Sequence, residues 1–106
     1  MPKYLIQANY TSEGAKGVLK EGGTKRRAAV ERAAKSVGGK LESFYFAFGD
    51  TDAFVVVDAP DNASVAAVAL MVGSSGAAST KTTVLLSPAE IDEAAKKTPS
   101  YRAPGT

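Results

Sequence analysis

The sequence predicts an α+β fold in which strands and helices follow in the order β, α, β, β, α, β, with a short helix at the end. Two segments carry apolar residues at helical spacing, and they alternate with segments of strand character. Residues 44–62 give the clearest signal, because two apolar strands there flank a tight turn at residues 49–52. The 106 residues suffice for one domain with a single modest core.

The first third of the chain predicts a strand followed by a helical region. Residues 4–10 alternate with the period of a strand. One face of this strand carries Tyr4, Ile6, Ala8 and Tyr10. Thr11 can cap a helix that begins near residue 13, and Gly22-Gly23 interrupts it before a longer helix that ends at residue 37. The apolar stripe of the longer helix consists of Val30, Ala33, Ala34 and Val37.

The hairpin that follows supplies most of the predicted core. Its first strand, residues 40–48, has apolar groups on both faces. Strict alternation puts Leu41, Tyr45 and Ala47 on one face and Phe44, Phe46 and Phe48 on the other. The second strand contains the apolar run 54–57 and ends before Pro60, because proline removes a donor from the ladder.

The last third predicts a helix, a strand and a short closing helix. Asp61 can cap a helix that ends at Gly73, and a strand runs from about residue 80 to residue 86. Residues 87–90 read Ser-Pro-Ala-Glu, a capping box with proline at the first helical position. We expect this helix to bury Ile91, Ala94 and Ala95, so that the domain spans residues 1–97 and residues 98–106 form a mobile tail.

This order of elements is the split βαβ pattern of ferredoxin-like folds, a four-stranded antiparallel sheet with helices on one face. Four strands about 20 Å long and about 4.8 Å apart present on the order of 400 Å² on the other face, near the limit for an apolar patch on a monomer. We therefore expect a homodimer or higher homo-oligomer, packed sheet to sheet as a dimeric α/β barrel. The expected interface residues are Phe46, Phe48, Phe54 and Val56.

The residue types that are missing exclude several classes of chemistry. The chain has neither cysteine nor histidine. Disulfides, thiolate nucleophiles, serine–histidine triads and metal sites built from cysteine or histidine are therefore ruled out, and we expect no metal and no cofactor. No apolar run approaches the length of a membrane span, so we expect a cytoplasmic protein without membrane contact.

The charge is unevenly distributed along the chain. The net charge is +2, yet residues 13–40 hold eight basic and three acidic residues. A basic helical region can meet nucleic acid, but a solvated helix face has the same composition, and no aromatic residues are interleaved here to stack on bases. We therefore expect no nucleic acid among the partners.

Several short motifs together resemble one known family. They are residues 39–45 (GKLESFY), 48–52 (FGDTD), 55–58 (VVVD), 59–61 (APD) and 86–90 (LSPAE). Over about residues 4–94 the chain resembles the GYD-domain family, whose turn usually reads Gly-x-Tyr-Asp. Gly49 and Asp52 match this turn, and Thr51 stands at the tyrosine position. The resemblance implies a small bacterial-type protein of the dimeric α/β barrel superfamily, in which an arginine like Arg26 often opens the first long helix.

Five polar residues are candidates for a ligand site between sheet and helices: Asn9, Arg26, Tyr45, Asp52 and Asp58. Polar groups within the strands of a covered sheet are paired or face a cavity, and an arginine can bind a ligand carboxylate. The alternative for the strand residues is that they form hydrogen bonds across a dimer interface. Asp52 could instead bond to the backbone of its own turn, and Arg26 could lay its aliphatic part along the edge of the core with its guanidinium in water. We expect Asn9 and Tyr45 to meet near the hairpin and Arg26.

Two functional classes remain open at this stage. One is a non-catalytic oligomeric domain that binds a small molecule between sheet and helices. The other is a cofactor-free enzyme, monooxygenase-like or isomerase-like, of the kind that dimeric α/β barrels also host. A pocket that raises the pKa of a carboxyl group would favour the enzyme, whereas a cavity filled by side chains would favour a structural module.

Overall fold

The computed structural model describes all 106 residues and contains four strands and four helices. In chain order they are β1 (Lys3–Tyr10), α1 (Ser12–Glu21), α2 (Gly23–Ser36), β2 (Lys40–Phe46), β3 (Ala53–Asp58), α3 (Asn62–Ser74), β4 (Ala78–Leu85) and α4 (Pro88–Ala95). The strands form one antiparallel sheet in the order β2-β3-β1-β4. The ferredoxin-like α+β prediction is confirmed. None of the helices combines the length and apolar character needed to cross a membrane.

Local hydrogen bonds determine where the helices begin. Thr11 and Asp61 cap α1 and α3, and each side chain accepts from a backbone amide in the first turn. Between α1 and α2 the chain turns at Gly22, whose φ of +83° lies in the left-handed region that glycine adopts without strain. α4 begins with the predicted capping box of Ser87 and Glu90. The starts of α1, α3 and α4 and the interruption at Gly22 are therefore as expected from the sequence, whereas the expectation that Thr24 caps the longer helix is wrong, because α2 begins at Gly23 and has no side-chain cap.

An irregularity in β2 decides which of its side chains face the helices. The pairing with β3 shifts between Leu41 and Ser43, where Glu42 is an extra residue. A bulge of this kind moves every later side chain to the opposite face. Phe44 and Phe46 therefore share a face with Leu41, and the strict alternation expected for this strand is wrong beyond the bulge.

The face of the sheet that the helices cover, here called the covered face, holds the core. Its most deeply buried positions on β3 are Ala53, Val55 and Val57, each 5% exposed or less. Tyr4 of β1 is buried beside them, and its hydroxyl donates to Oδ1 of Asn62 at 2.6 Å. Ala34 of α2 and Val65 of α3 complete this cluster from above. The hydrogen bond of Tyr4 thus ties the central strand to the first turn of α3.

The opposite face, here called the open face, has no helix on it. It carries the residues that alternate with the core positions, among them Leu5, Gln7, Asn9, Tyr45, Phe54, Val56, Asp58 and Lys81. Phe54 is 37% exposed and Tyr45 is 72% exposed. The expectation that Phe46 shares this face with Phe54 is wrong, because the bulge turns Phe46 toward the helices. Phe48 lies in the loop before β3 and is fully exposed.

The C-terminal helix lies away from the sheet. No residue of α4 is buried, and Ile91 is 51% exposed. The prediction that Ile91, Ala94 and Ala95 are buried is wrong, because α4 makes almost no contact with the other elements. The radius of gyration is 16.9 Å, whereas a compact domain of this length has a value of about 13 Å. Residues 98–106 are exposed as well.

Candidate functional site

The helices leave a groove on the covered face of the sheet. α2 packs on β2 and α3 packs on β4, and the two helices make few direct contacts with each other. The floor of the groove consists partly of small side chains, contributed by Ala8, Ala53 and Ala78. Because these side chains do not fill the space below the helices, a cavity of about 80 Å³ remains between sheet and helices.

This cavity, here called the apolar cavity, is hydrophobic over most of its wall. Val30 of α2, Val72 of α3 and Phe44 of β2 contribute to the lining. The only polar side chains that line it are those of Tyr10, Arg26 and Thr80. A cavity with such walls offers water few partners and favours an apolar occupant.

A second space, here called the outer cleft, adjoins the apolar cavity. It has a volume of about 400 Å³ and lies between α1 and the C-terminal end of α3. Tyr10 and Arg26 line both spaces, so they stand at the junction between them. The wall of the cleft also carries two carboxylates, those of Glu13 and Glu21. A molecule in the cleft therefore lies close to these carboxylates as well as to Tyr10 and Arg26.

Arg26 is a cation with unused binding capacity. It stands in the first turn of α2, one turn before Val30, and it is half-buried. It takes part in none of the four salt bridges of the protein. Its Nε is buried and has no hydrogen-bond partner. Because a buried donor without an acceptor is costly, an acceptor at this position would stabilise the folded protein.

Tyr10 ends β1 beside this guanidinium. Burial raises the pKa of the Tyr10 phenol above its ordinary value, and the charge of Arg26 opposes this rise. The phenol is therefore protonated at neutral pH and can donate a hydrogen bond. Its ring centroid lies 6.5 Å from that of Phe46. Gly23 lets the start of α2 approach Phe46, because a Cβ at this position would come within 2.9 Å of the ring.

Asp52 holds the hairpin loop against the end of β1. Its carboxylate accepts a hydrogen bond from the amide of Tyr10 at 2.9 Å. Its own amide donates to the carbonyl of Ala8 at 3.0 Å and to Oδ1 of Asn9 at 3.1 Å. Asp52 therefore positions the strand end that carries Tyr10, and its side chain does not line the apolar cavity.

The five predicted ligand residues do not form one site. Asn9, Tyr45 and Asp58 lie on the open face, whereas Arg26 lies on the covered face. Asp58 accepts from Nζ of Lys3 at 2.8 Å, at the opposite end of β1 from Asn9. The expectation that Asn9 and Tyr45 meet near Arg26 is wrong, because the sheet separates them from it. Nowhere do three or more acidic side chains lie together as possible metal ligands.

Tyr10 is the residue of this site that the sequence reasoning did not single out. Its pattern offered a signal, because Tyr10 continues the covered face of β1 directly after Ala8. A large side chain with a polar tip, next to a small one on the same face, is typical of a cavity wall. What the sequence did not contain was the position of α2, which brings Arg26 to this end of the strand.

Comparisons with known proteins agree with the sequence motifs. The family model of the GYD domain matches residues 4–95, which extend from β1 to the end of α4. Comparison with curated proteins and with solved structures finds no significant match. Because the family model covers most of the chain, including every element around the apolar cavity, the chain belongs to the GYD-domain family.

Proposed function

We propose that this protein is a small oligomeric domain that binds a small molecule in the apolar cavity between sheet and helices. The observation that carries the proposal is the junction at Arg26, where a half-buried cation with an unpartnered Nε faces an unfilled apolar space. A buried Nε–H without an acceptor is destabilising, whereas an acceptor on a ligand would satisfy it. The arrangement is therefore better explained by binding than by folding stability.

The groups at the cavity favour binding over catalysis. Tyr10 and Arg26 are the only titratable groups that line it, and burial raises the pKa of Tyr10. A phenol with a raised pKa is a hydrogen-bond donor at neutral pH and a poor general base. The cofactor-free enzyme alternative would need a base next to the bound molecule, and the carboxylates of Glu13 and Glu21 line only the outer cleft.

The oligomeric part of the proposal concerns the open face. Phe54 and Val56 of β3 lie there with Leu5 of β1, and no helix packs on them. A second copy of the chain, related by a twofold axis, would present the same apolar surface and cover it. We therefore propose a homodimer through the open face, which leaves the outer cleft accessible on the opposite side of the sheet.

A cavity-filling variant tests the binding proposal. Ala69 of α3 lines the apolar cavity, whereas Ala67 on the same helix is exposed and lines neither the apolar cavity nor the outer cleft. We expect Ala69→Leu to abolish the thermal stabilisation produced by hits from a metabolite screen, and Ala67→Leu to preserve it. A ligand at about one hundred times its dissociation constant stabilises by about 2.7 kcal/mol, which a thermal shift readily detects. A screen without hits, or hits that bind Ala69→Leu equally well, would refute the proposal.

A further inference from the structure

The chemistry at the junction restricts the class of molecule that the apolar cavity can accept. This inference rests on the proposed function, because it names the ligand of the same site. Three features act together: the unpartnered Nε of Arg26, the phenol of Tyr10, and the carboxylates of Glu13 and Glu21 in the outer cleft. We propose that the ligand is a small apolar monocarboxylate whose carboxylate binds Arg26 and Tyr10 while its apolar part fills the cavity.

The donor geometry favours a carboxylate over a neutral acceptor. A guanidinium binds a carboxylate with two parallel N–H···O bonds, and one common arrangement uses Nε–H together with an Nη–H. Nε of Arg26 is the buried donor that lacks a partner. The hydroxyl of Tyr10 supplies a further donor at the same end of the cavity. Together these groups can satisfy both oxygens of a carboxylate, whereas a single carbonyl oxygen would leave part of this capacity unused.

The charge on the approach argues against phosphates and dicarboxylates. The outer cleft carries one cation, Arg26, and two carboxylates, Glu13 and Glu21. Glu13 is paired with Lys16 at 4.0 Å, whereas Glu21 forms no salt bridge. These carboxylates repel a dianion more strongly than a monoanion, and Arg26 is the only cation lining the cleft that could neutralise it. A monoanion, in contrast, is fully compensated by Arg26 once its apolar part has entered the cavity. The site therefore selects for one negative charge.

The size of the cavity limits the apolar part of the ligand. Its volume of about 80 Å³ is roughly half that of a dry cavity of about 150 Å³ that is known to take up benzene in another protein. A carboxylate on a short branched chain therefore fits the cavity, whereas one aromatic ring fits only if part of the ring stays in the adjoining outer cleft. Long acyl chains do not fit.

The test compares matched probes at constant ionic strength. Calorimetric titration with benzoate, with its neutral isostere benzamide and with inorganic phosphate measures the contribution of the charge. We expect benzoate to bind about tenfold or more tightly than benzamide, as charge-assisted hydrogen bonds imply, and phosphate not to compete. Arg26→Met should abolish this preference, whereas Arg32→Met, which removes an exposed arginine of the same helix, should retain it.

The possible outcomes separate this inference from the proposed function. If benzamide binds as tightly as benzoate and Ala69→Leu blocks both probes, the carboxylate class is wrong and the cavity still binds ligands. If none of the probes binds and a wider screen also finds no ligand, both the proposed binding function and the proposed ligand class are refuted. A preference for benzoate that survives in Arg26→Met, or competition by phosphate, would also overturn the inference. Melting temperatures of the unliganded variants will report whether they fold. We expect the melting temperature of Arg26→Met to equal or exceed that of the wild type, because the substitution removes a buried donor without a partner.

Discussion

Phe54 and Phe46 offer a matched test of how this sheet is covered. The two rings have similar exposed fractions, 37% for Phe54 and 43% for Phe46. They pack on opposite faces, because Phe46 pairs across the ladder with Ala53 of the covered face while Phe54 belongs to the open face. If a second copy covers the open face, Phe54→Ala should weaken the dimer and leave the fold intact. Phe46→Ala should instead destabilise the fold and leave the dimer interface unchanged.

The size of the effect follows from the exposed area of Phe54. The 37% that remains exposed corresponds to about 75 Å² of a side chain of roughly 200 Å². Covering that area is worth about 2 kcal/mol at about 25 cal/mol per Å². A twofold interface contains the residue twice, so the loss is about 4 kcal/mol and the dissociation constant of the dimer rises by up to about a thousandfold.

Sedimentation velocity over a range of protein concentrations measures this dissociation constant for the wild type and for both variants. Circular dichroism of the same samples reports whether the fold is retained. A dissociation constant that is equal in Phe54→Ala and in the wild type would refute the reasoning, and so would a wild-type protein that stays monomeric at high concentration. A dimer that is weakened by Phe46→Ala and not by Phe54→Ala would place the interface on the helix side.

Three further predictions concern the fold. Tyr4→Phe removes the 2.6 Å hydrogen bond to Asn62 and should lower the free energy of unfolding by about 1 kcal/mol in urea titrations; in a double-mutant cycle with Asn62→Ala, strictly additive losses would contradict this coupling. Hydrogen bonds from Ser64 lower the pKa of Asp61 in the folded protein. The contribution of the Asp61 carboxylate to stability is therefore present above the pKa of the unfolded state and is lost as the pH falls through the pKa of the folded state. The melting temperatures of Asp61→Ala and the wild type should converge in acid, and a difference between them that does not change with pH would refute this. Deletion of residues 87–106 should change the stability of the monomer by no more than about 0.5 kcal/mol, because α4 packs on almost nothing in its own chain.

The element order was predictable because its signals are local. Thr11, Asp61 and Ser87 each cap a helix within a few residues of the sequence. The faces on which the side chains of β2 lie were not predictable, because nothing in the sequence indicates the bulge at Glu42. Neither glycine nor proline occurs there. The prediction that α4 packs on the domain was wrong for a related reason. An apolar stripe indicates that one face of a helix is suited to burial, but it does not identify the surface against which that face packs.

The candidate site was predictable in part for the same reasons. Arg26 could be identified because it precedes an apolar stripe at helical spacing. The proximity of Arg26 to Tyr10 could not be predicted, because it depends on how the turn at Gly22 directs α2 across the sheet. Asn9, Tyr45 and Asp58 were grouped with Arg26 because polar residues in strands attract attention, yet a sheet separates its two faces completely.

β3 connects the two proposals, because alternate residues of this one strand serve both faces. Ala53 and Val55 line the apolar cavity, whereas Phe54 and Val56 lie on the open face. Any shift of β3 that dimerisation produces therefore also moves the floor of the apolar cavity. The effect of dimerisation on ligand affinity must then equal the effect of the ligand on dimer affinity. If benzoate tightens the dimer, the dimer must bind benzoate more tightly than the monomer by the same factor. Benzoate titrations of wild type and Phe54→Ala then measure that factor directly, and equal affinities would mean that the two faces act independently.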